Sequence, residues 1–215
     1  MKGTVLYRTR QAGRTRQQIL RAAMDIASAE GLEGLSIGRL ASDMKMSKTG
    51  IFSHFGSKRE LQLATVEAAK QVFLERIVEP ALTEPRGTLR LAAMLYKWLE
   101  YVEKIVFRGG CFFAAASAEF DSRPGAVRNQ IALHTKAWLV ALEDEIRFAA
   151  SKGQFRSSVD AAQLAFELHA YVQEANWAFK LFNDKSAFER ARRAIARSIS
   201  EASSESISKI VNPRE

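Results

Sequence analysis

The stretch from Leu35 to Leu61, LSIGRLASDMKMSKTGIFSHFGSKREL, constrains this chain more than any other. Helix-start and helix-stop signals follow each other so closely there that only short helices fit between them. Ser36 suits an N-cap, because its hydroxyl oxygen can accept from the free amide N–H groups of a first turn. Ile37, Leu40, Ala41 and Met44 then give one apolar face at helical spacing. Ser47 suits a second N-cap, and Ile51, Phe52 and Phe55 give the apolar face of a second short helix. Gly56 stops that helix, and Ser57-Lys58-Arg59-Glu60 forms a capping box that starts a third. Two short helices joined by a tight turn are the arrangement in which the second helix enters the major groove of DNA.

Charge follows the same stretch. The 215-residue chain carries a formal net charge of +8. Residues 1–59 hold eleven basic and four acidic side chains, so +7 of that charge sits around the candidate helix-turn-helix. Charge alone would fit a solubilising surface. Its coincidence with the motif points to phosphate neutralisation instead. With 4 prolines, 12 glycines and long Ala/Leu/Glu/Arg-rich stretches, the expectation is an all-α protein of one or two domains. The single cysteine, Cys111, excludes an intrachain disulfide and suits a reducing, cytoplasmic compartment. No apolar run approaches the ~18 residues of a membrane span, and no secretory signal is visible.

Taken in order, residues 1–13 read as a basic flexible arm that can add phosphate or minor-groove contacts. A first helix is expected from about Arg14 to Glu30, with Ile19, Ala22, Ala23, Ile26 and Ala27 on one face and Gly31 ending it. The helix-turn-helix domain then spans 14–67. A fourth helix runs from Ser57 to about Glu79, bounded by Pro80 and Pro85. A helical ligand-binding and dimerisation domain is expected over 68–200. Its helices are read as Thr88–Phe107, Cys111–Phe120, Ala126–Lys152, Val159–Phe182 and Ser186–Ser200. Residues 201–215 read as a disordered tail.

The eighth helix is apolar on two stripes, which implies two things to bury against. Leu164, Leu168, Tyr171, Ala175, Ala178 and Phe182 form one; Phe166, Ala170, Trp177 and Leu181 form the other. The expected dimer interface takes Leu164, Leu168, Tyr171, Ala175 and Phe182, with Phe188, Ile195 and Ile199 of the ninth helix, as a four-helix bundle about a two-fold axis. The alternative is that both stripes are internal core. A ligand pocket is expected from Trp98, Tyr101, Phe107, Phe112, His134, Trp138, Phe166, His169 and Trp177, with an apolar or amphipathic effector.

Residues 14–65 resemble the TetR family of bacterial transcriptional regulators. The resemblance rests on Thr15-Arg16-Gln17-Gln18-Ile19-Leu20, Gly31-Leu32, Leu40-Ala41, Ser47-Lys48 and Ile51-Phe52-Ser53-His54-Phe55, with Lys58 and Leu61. It implies a homodimer with two DNA-binding heads, a repressor that a small-molecule effector releases from a palindromic operator of double-stranded DNA. It also implies residue roles. Ser36 and Lys58 match positions at helix starts that touch phosphate. Lys48, Thr49 and Gly50, opening the recognition helix behind Ser47, would face base edges. Phe52, Ser53 and His54 match an aromatic-aromatic-histidine phrase, but Phe52 and Ser53 lack the tyrosine hydroxyls often found there. His54 is open to two readings, a phosphate contact or packing beside Phe55. Lys45 stands where the turn often has glycine, so a positive φ there would carry a cost.

Enzymatic chemistry finds no support in the pattern. His54, His134 and His169 are scattered, with no metal spacing. No Walker loop, dinucleotide fingerprint or nucleophile elbow is present, and no cofactor is expected. Cys111 reads as a buried small hydrophobe rather than a reactive thiol, and Glu143-Asp144-Glu145 as a solvated face. The competing readings are an architectural DNA binder, and a helical small-molecule-binding protein or enzyme with an incidental basic head.

Overall fold

The computed structural model describes residues 2–204, with side chains from Gly13 onward. Among these residues the protein is all-helical. Taking a π turn and a short helical segment as the end of the fourth, it has nine helices. These are α1 (Lys2–Glu30), α2 (Ile37–Asp43), α3 (Lys48–Phe55) and α4 (Lys58–Phe73, continued by the π turn Leu74–Val78 and Glu79–Ala81). They are followed by α5 (Thr88–Glu103), α6 (Phe112–Phe120), α7 (Ala126–Ser151), α8 (Ala161–Phe182) and α9 (Ser186–Ala202). No described helix is long and apolar enough to cross a membrane.

The caps are those the sequence called for. Ser36 Oγ accepts from Arg39 N at 3.1 Å, Ser47 Oγ from Gly50 N at 3.0 Å, and Ser57 Oγ from Glu60 N at 3.1 Å. Asp160 accepts from both Ala162 N and Gln163 N to start α8. Gly31 (φ +89) and Gly56 (φ +73) end α1 and α3 in the left-handed region.

Two compact units divide the chain, Met1–Gln71 with Phe107–Ala132, and Val72–Val106 with Leu133–Glu215. In the first, α2 packs on α3 and on α1, and α6 packs on α1. Ile19, Ile26, Leu32, Leu35, Leu40, Ile51, Leu61 and Phe112 are fully buried there. Gly109 lies so close to α1 that a Cβ would stand 1.7 Å from the Ser28 carbonyl oxygen, so only glycine fits. Cys111 is buried, as a small hydrophobe would be.

In the second unit α8 and α9 pack along each other and both pack on α5. Leu91, Leu95, Leu99, Leu142, Ile146, Phe155, Leu168, Val172 and Ile195 form its core. Glu145, expected on a solvated face, is buried instead. It accepts from Gly87 N at 2.8 Å and from Arg86 Nε at 3.0 Å. Three consecutive acidic residues on a helix spread over more than half its circumference, so one of them turns inward.

Three helix ends differ from the periodicity. α1 begins at Lys2 rather than Arg14. The expected arm lacks an apolar stripe but also lacks proline, and Gly13 costs a helix only about 1 kcal/mol. α5 stops at Glu103 rather than Phe107, because Ile105 adopts φ 53. α9 continues to Ala202, two residues into the expected tail; residues 205–215 lie outside the described range.

Candidate nucleic-acid interface and aromatic cluster

The turn between α2 and α3 is tight because Lys45 takes φ 52, the left-handed conformation anticipated at that position. Met46 N then donates to Ala41 O at 2.9 Å, closing the turn. Ile51 and Phe55 bury one face of α3, and Arg16 of α1 lies over the Phe55 ring at 4.9 Å. The opposite face is open. Ser47, Lys48, Thr49, Phe52 and Ser53 are exposed, while Gly50 and His54 are half-buried. Phe52 is the largest apolar side chain left in solvent on this helix, 52% exposed. A Cβ on Gly50 would meet Ser47 Oγ at 3.1 Å, so glycine also protects the cap. Ser53 Oγ donates to Gly50 O at 2.8 Å, which leaves its oxygen lone pairs outward. His54 sits beside Phe55 with ring centroids 6.2 Å apart.

The nearby cations fall into two groups. Arg39 is held by Glu30 (2.8 Å) and Asp43 (3.1 Å). Lys58 Nζ is held by Glu33 at 2.7 Å, and that hydrogen bond keeps the Glu33 carboxyl below its ordinary pKa. Lys45 and Lys48, by contrast, stand exposed on the turn and on the first turn of α3. The Lys48 chain passes over Gly38 of α2, its Cε 3.6 Å from where a Cβ would be.

Glu33 is itself anchored from a distant part of the chain. The Glu119 carboxylate of α6 accepts from Leu32 N at 2.6 Å and from Glu33 N at 3.0 Å. A Cβ on Gly31 would collide with Glu119 Oε1 at 2.8 Å. Gln62 Nε2 adds bonds to Leu32 O (2.9 Å) and to Glu33 (3.2 Å). Reading the sequence missed this network. A carboxylate far along the chain leaves no periodic signal at the turn it caps.

The expected pocket residues separate. Trp98, Tyr101, Trp138 and His169 come together in the second unit around Phe73, which the sequence reading left out. Phe73 lies 4.9 Å from Trp138 and 6.1 Å from both Trp98 and Tyr101, centroid to centroid. Trp98 lies 5.5 Å from Trp138 and 5.1 Å from His169. Burial pushes the His169 imidazole down to about 4, so it is neutral at pH 7. His134 is half-buried on α7, one turn before Trp138. Phe107 and Phe112 belong to the first unit, where they pack against each other. Phe166 and Trp177 are surface residues. Beside Tyr101 a cavity of about 250 Å³ is lined by Arg76, Lys97, Glu100 and Lys104, among others. Among the described residues no His, Cys, Asp or Glu cluster could hold a metal ion.

The two stripes of α8 differ in burial, the first lying inside the chain and the second in solvent. Leu164, Leu168 and Ala175 are buried within the chain, as are Phe188, Ile195 and Ile199 of α9. Tyr171 is half-buried, its hydroxyl 3.3 Å from Ser198 Oγ. These residues face their own unit because α8 and α9 pack on each other, so they are core and not a free surface. Of that set only Phe182 is exposed. The second stripe stays in solvent: Phe166, Trp177 and Leu181 are exposed, with Leu133 and Val140 of α7. Trp177 and Phe182 meet edge to face at 4.9 Å.

Comparison with known proteins bears on both units. A model of the N-terminal region of bacterial regulatory proteins of the tetR family matches residues 19–65. A model of the tetracyclin repressor-like C-terminal domain matches residues 87–195. The HTH-type transcriptional regulator TcmR of Streptomyces glaucescens is 33% identical over 79 residues, 36% of this chain and 35% of that protein. The match thus spans little more than a third of that relative's length. Among solved structures, a TetR transcriptional regulator from Chloroflexus aurantiacus J-10-FL superposes with a TM-score of 0.83 at 23% identity, covering 90% of this chain and 98% of that one. AibR, solved in complex with isovaleryl coenzyme A and operator DNA, gives a TM-score of 0.66 at 23% identity, covering 84% of this chain and 95% of that one.

Proposed function

This chain belongs to the TetR family of bacterial regulatory proteins, and from that premise we propose that it is a dimeric, ligand-responsive transcriptional repressor. Its recognition helix is α3. The observation that carries the reading is the open face of that helix. Lys48 and Thr49 are exposed in its first turn, while Ile51 and Phe55 fix the opposite face in the core. An α-helix held this way fits the ~12 Å width of the major groove. Thr49 presents a hydroxyl and a methyl to base edges. Lys48 presents an exposed cation, and Gly50 leaves room between them. Phosphates are met by Lys45, by the Ser36 end of α2, and by Lys58 once it leaves Glu33.

Two such heads are needed for a palindromic operator, with half-sites about 34 Å apart. The exposed apolar residues of α8 and α7, Phe166, Trp177, Leu181, Phe182, Leu133 and Val140, supply a face for a second copy. The effector binds at the aromatic cluster of the second unit. α4 and α7 each contain residues of both units, so a ligand that changes either helix has a covalent route to the head. Such a ligand lowers operator occupancy only by its differential affinity for the two states. AibR, a structural relative crystallised with a coenzyme A thioester and operator DNA, supports a two-ligand protein of this kind.

The test separates base reading from charge. In anisotropy titrations of the operator, Thr49→Ala reduces specific affinity by about 1–3 kcal/mol and leaves binding to random DNA unchanged. Lys48→Ala weakens both. Equal loss on both DNAs for Thr49→Ala removes α3 from base recognition.

A further inference from the structure

The aromatic cluster of the second unit holds two donors that the protein leaves unused. The indole N–H groups of Trp98 and Trp138 are buried and have no hydrogen-bond partner among the described residues. Trp98 is 2% exposed and Trp138 8%. More than about 90% of buried polar groups in native proteins are paired, because an open one has given up its hydration for nothing in return. One orphan donor is unusual. Two on neighbouring rings, with centroids 5.5 Å apart and planes nearly perpendicular (82°), leave a pair of donors for an acceptor from outside the chain.

We propose that Trp98 and Trp138 donate to a carbonyl oxygen of an uncharged, flat aromatic ligand. This rests on the reading that the second unit binds the effector, and it names that effector's chemical class. Three features select the class. First, a carbonyl oxygen has two lone pairs, so one atom can accept from both indoles. Second, the cluster carries no charge at neutral pH. Phe73, Trp98, Tyr101 and Trp138 are uncharged, and His169 is held in its neutral form by burial. A carboxylate would enter without a counter-charge among these residues, at a desolvation cost a neutral carbonyl avoids. Third, the surroundings are aromatic rings packed edge to face on one another, and a flat aromatic ligand that enters by displacing one of them replaces the lost contacts with contacts of the same kind. The helix that carries Phe73 also loses its regular α-geometry at the next residue, in the π turn Leu74–Val78. Single π turns recur at functional sites.

A matched pair of probes tests the proposal on the full-length protein. Fluorenone and fluorene share a flat tricyclic frame and differ by one carbonyl oxygen. Binding is followed by equilibrium dialysis and by ¹⁵N-indole NMR of the three tryptophans. The proposal gives fluorenone about tenfold or more higher affinity, the worth of a hydrogen bond to an otherwise orphaned buried donor. The Trp98 and Trp138 indole signals shift on binding, while exposed Trp177 stays in place. Trp98→Phe keeps a ring and removes a donor that has no partner in the free protein. It brings fluorenone toward the affinity of fluorene and leaves fluorene unchanged. Equal affinity of the two probes in the wild type, or a shift confined to Trp177, overturns the donor pair while leaving an effector site in place. Binding of neither probe also overturns it. The effector reading itself is judged separately, by whether any small molecule releases operator DNA.

Discussion

Lys45 holds a left-handed backbone with a full side chain attached, in the turn that sets α3 against α2. That conformation costs an L-residue about 1–2 kcal/mol relative to glycine. Lys45→Gly is therefore expected to raise stability by about 1 kcal/mol in denaturant unfolding, while weakening DNA binding by loss of a cation. The Glu33–Lys58 pair works in the other direction. Its partners are 47% and 43% exposed, so it adds little to stability. In the proposed complex a phosphate that meets Lys58 competes with the Glu33 carboxylate. Glu33→Gln should raise DNA affinity by about two- to fivefold, a change on the order of 0.5–1 kcal/mol. In a Lys58→Ala background the gain should vanish. A gain that survives Lys58→Ala means the carboxylate acts on the DNA by itself. His169 sets a pH dependence. Its folded pKa of about 4 lies below the unfolded 6.5, so the unfolded chain binds the proton first as pH falls. Stability is full above pH 6.5 and declines toward pH 4, by on the order of 2–3 kcal/mol. Thermal melts at pH 7 and pH 4.5 should show a smaller drop for His169→Leu than for the wild type.

α8 is where element-level reasoning succeeded in part. Its two apolar stripes were legible because helical spacing reports which residues share a face. Which stripe meets the chain's own α9 was not legible, since both have the same apolar character. The structure buries Leu164, Leu168 and Ala175 and leaves Phe166, Trp177 and Leu181 open. Leu181→Arg is therefore expected to convert dimer to monomer in sedimentation equilibrium with unchanged helical circular dichroism. Leu168→Arg, at a position with 0% exposure, should unfold the second unit instead. A dimer that withstands Leu181→Arg together with Trp177→Arg puts the interface elsewhere. The helix-turn-helix was the most readable part, because its caps Ser36, Ser47 and Ser57 and its stop Gly56 act within a few residues of themselves. The aromatic cluster was half readable. Trp98, Tyr101, Trp138 and His169 stand out in the sequence by their chemistry, but only folding joins them to Phe73 and sends Phe107 and Phe112 to the other unit. Glu145 and Glu119 were unreadable for the same reason, since their partners Gly87 and Leu32 are distant in sequence.

At the scale of the molecule, sequence and structure divide the work in the same way. Basic charge and the short capped helices lie in the first unit, while the tryptophan cluster and the long exposed helix face lie in the second. The charge available to DNA is smaller than the sequence total suggests, because Arg39, Lys58 and Arg108 already face Glu30, Glu33 and Asp25. The slope of log affinity against log salt should accordingly correspond to fewer phosphates than the eleven basic residues of the first 59. The measurement that bears most directly on the repressor reading is fluorescence anisotropy with DNA flanking the protein's own gene, in excess random competitor, at two salt concentrations. Saturable binding that survives the competitor, with one dimer per pair of half-sites, is the expected result. Binding that the competitor abolishes at both salt concentrations would contradict sequence-specific recognition by α3.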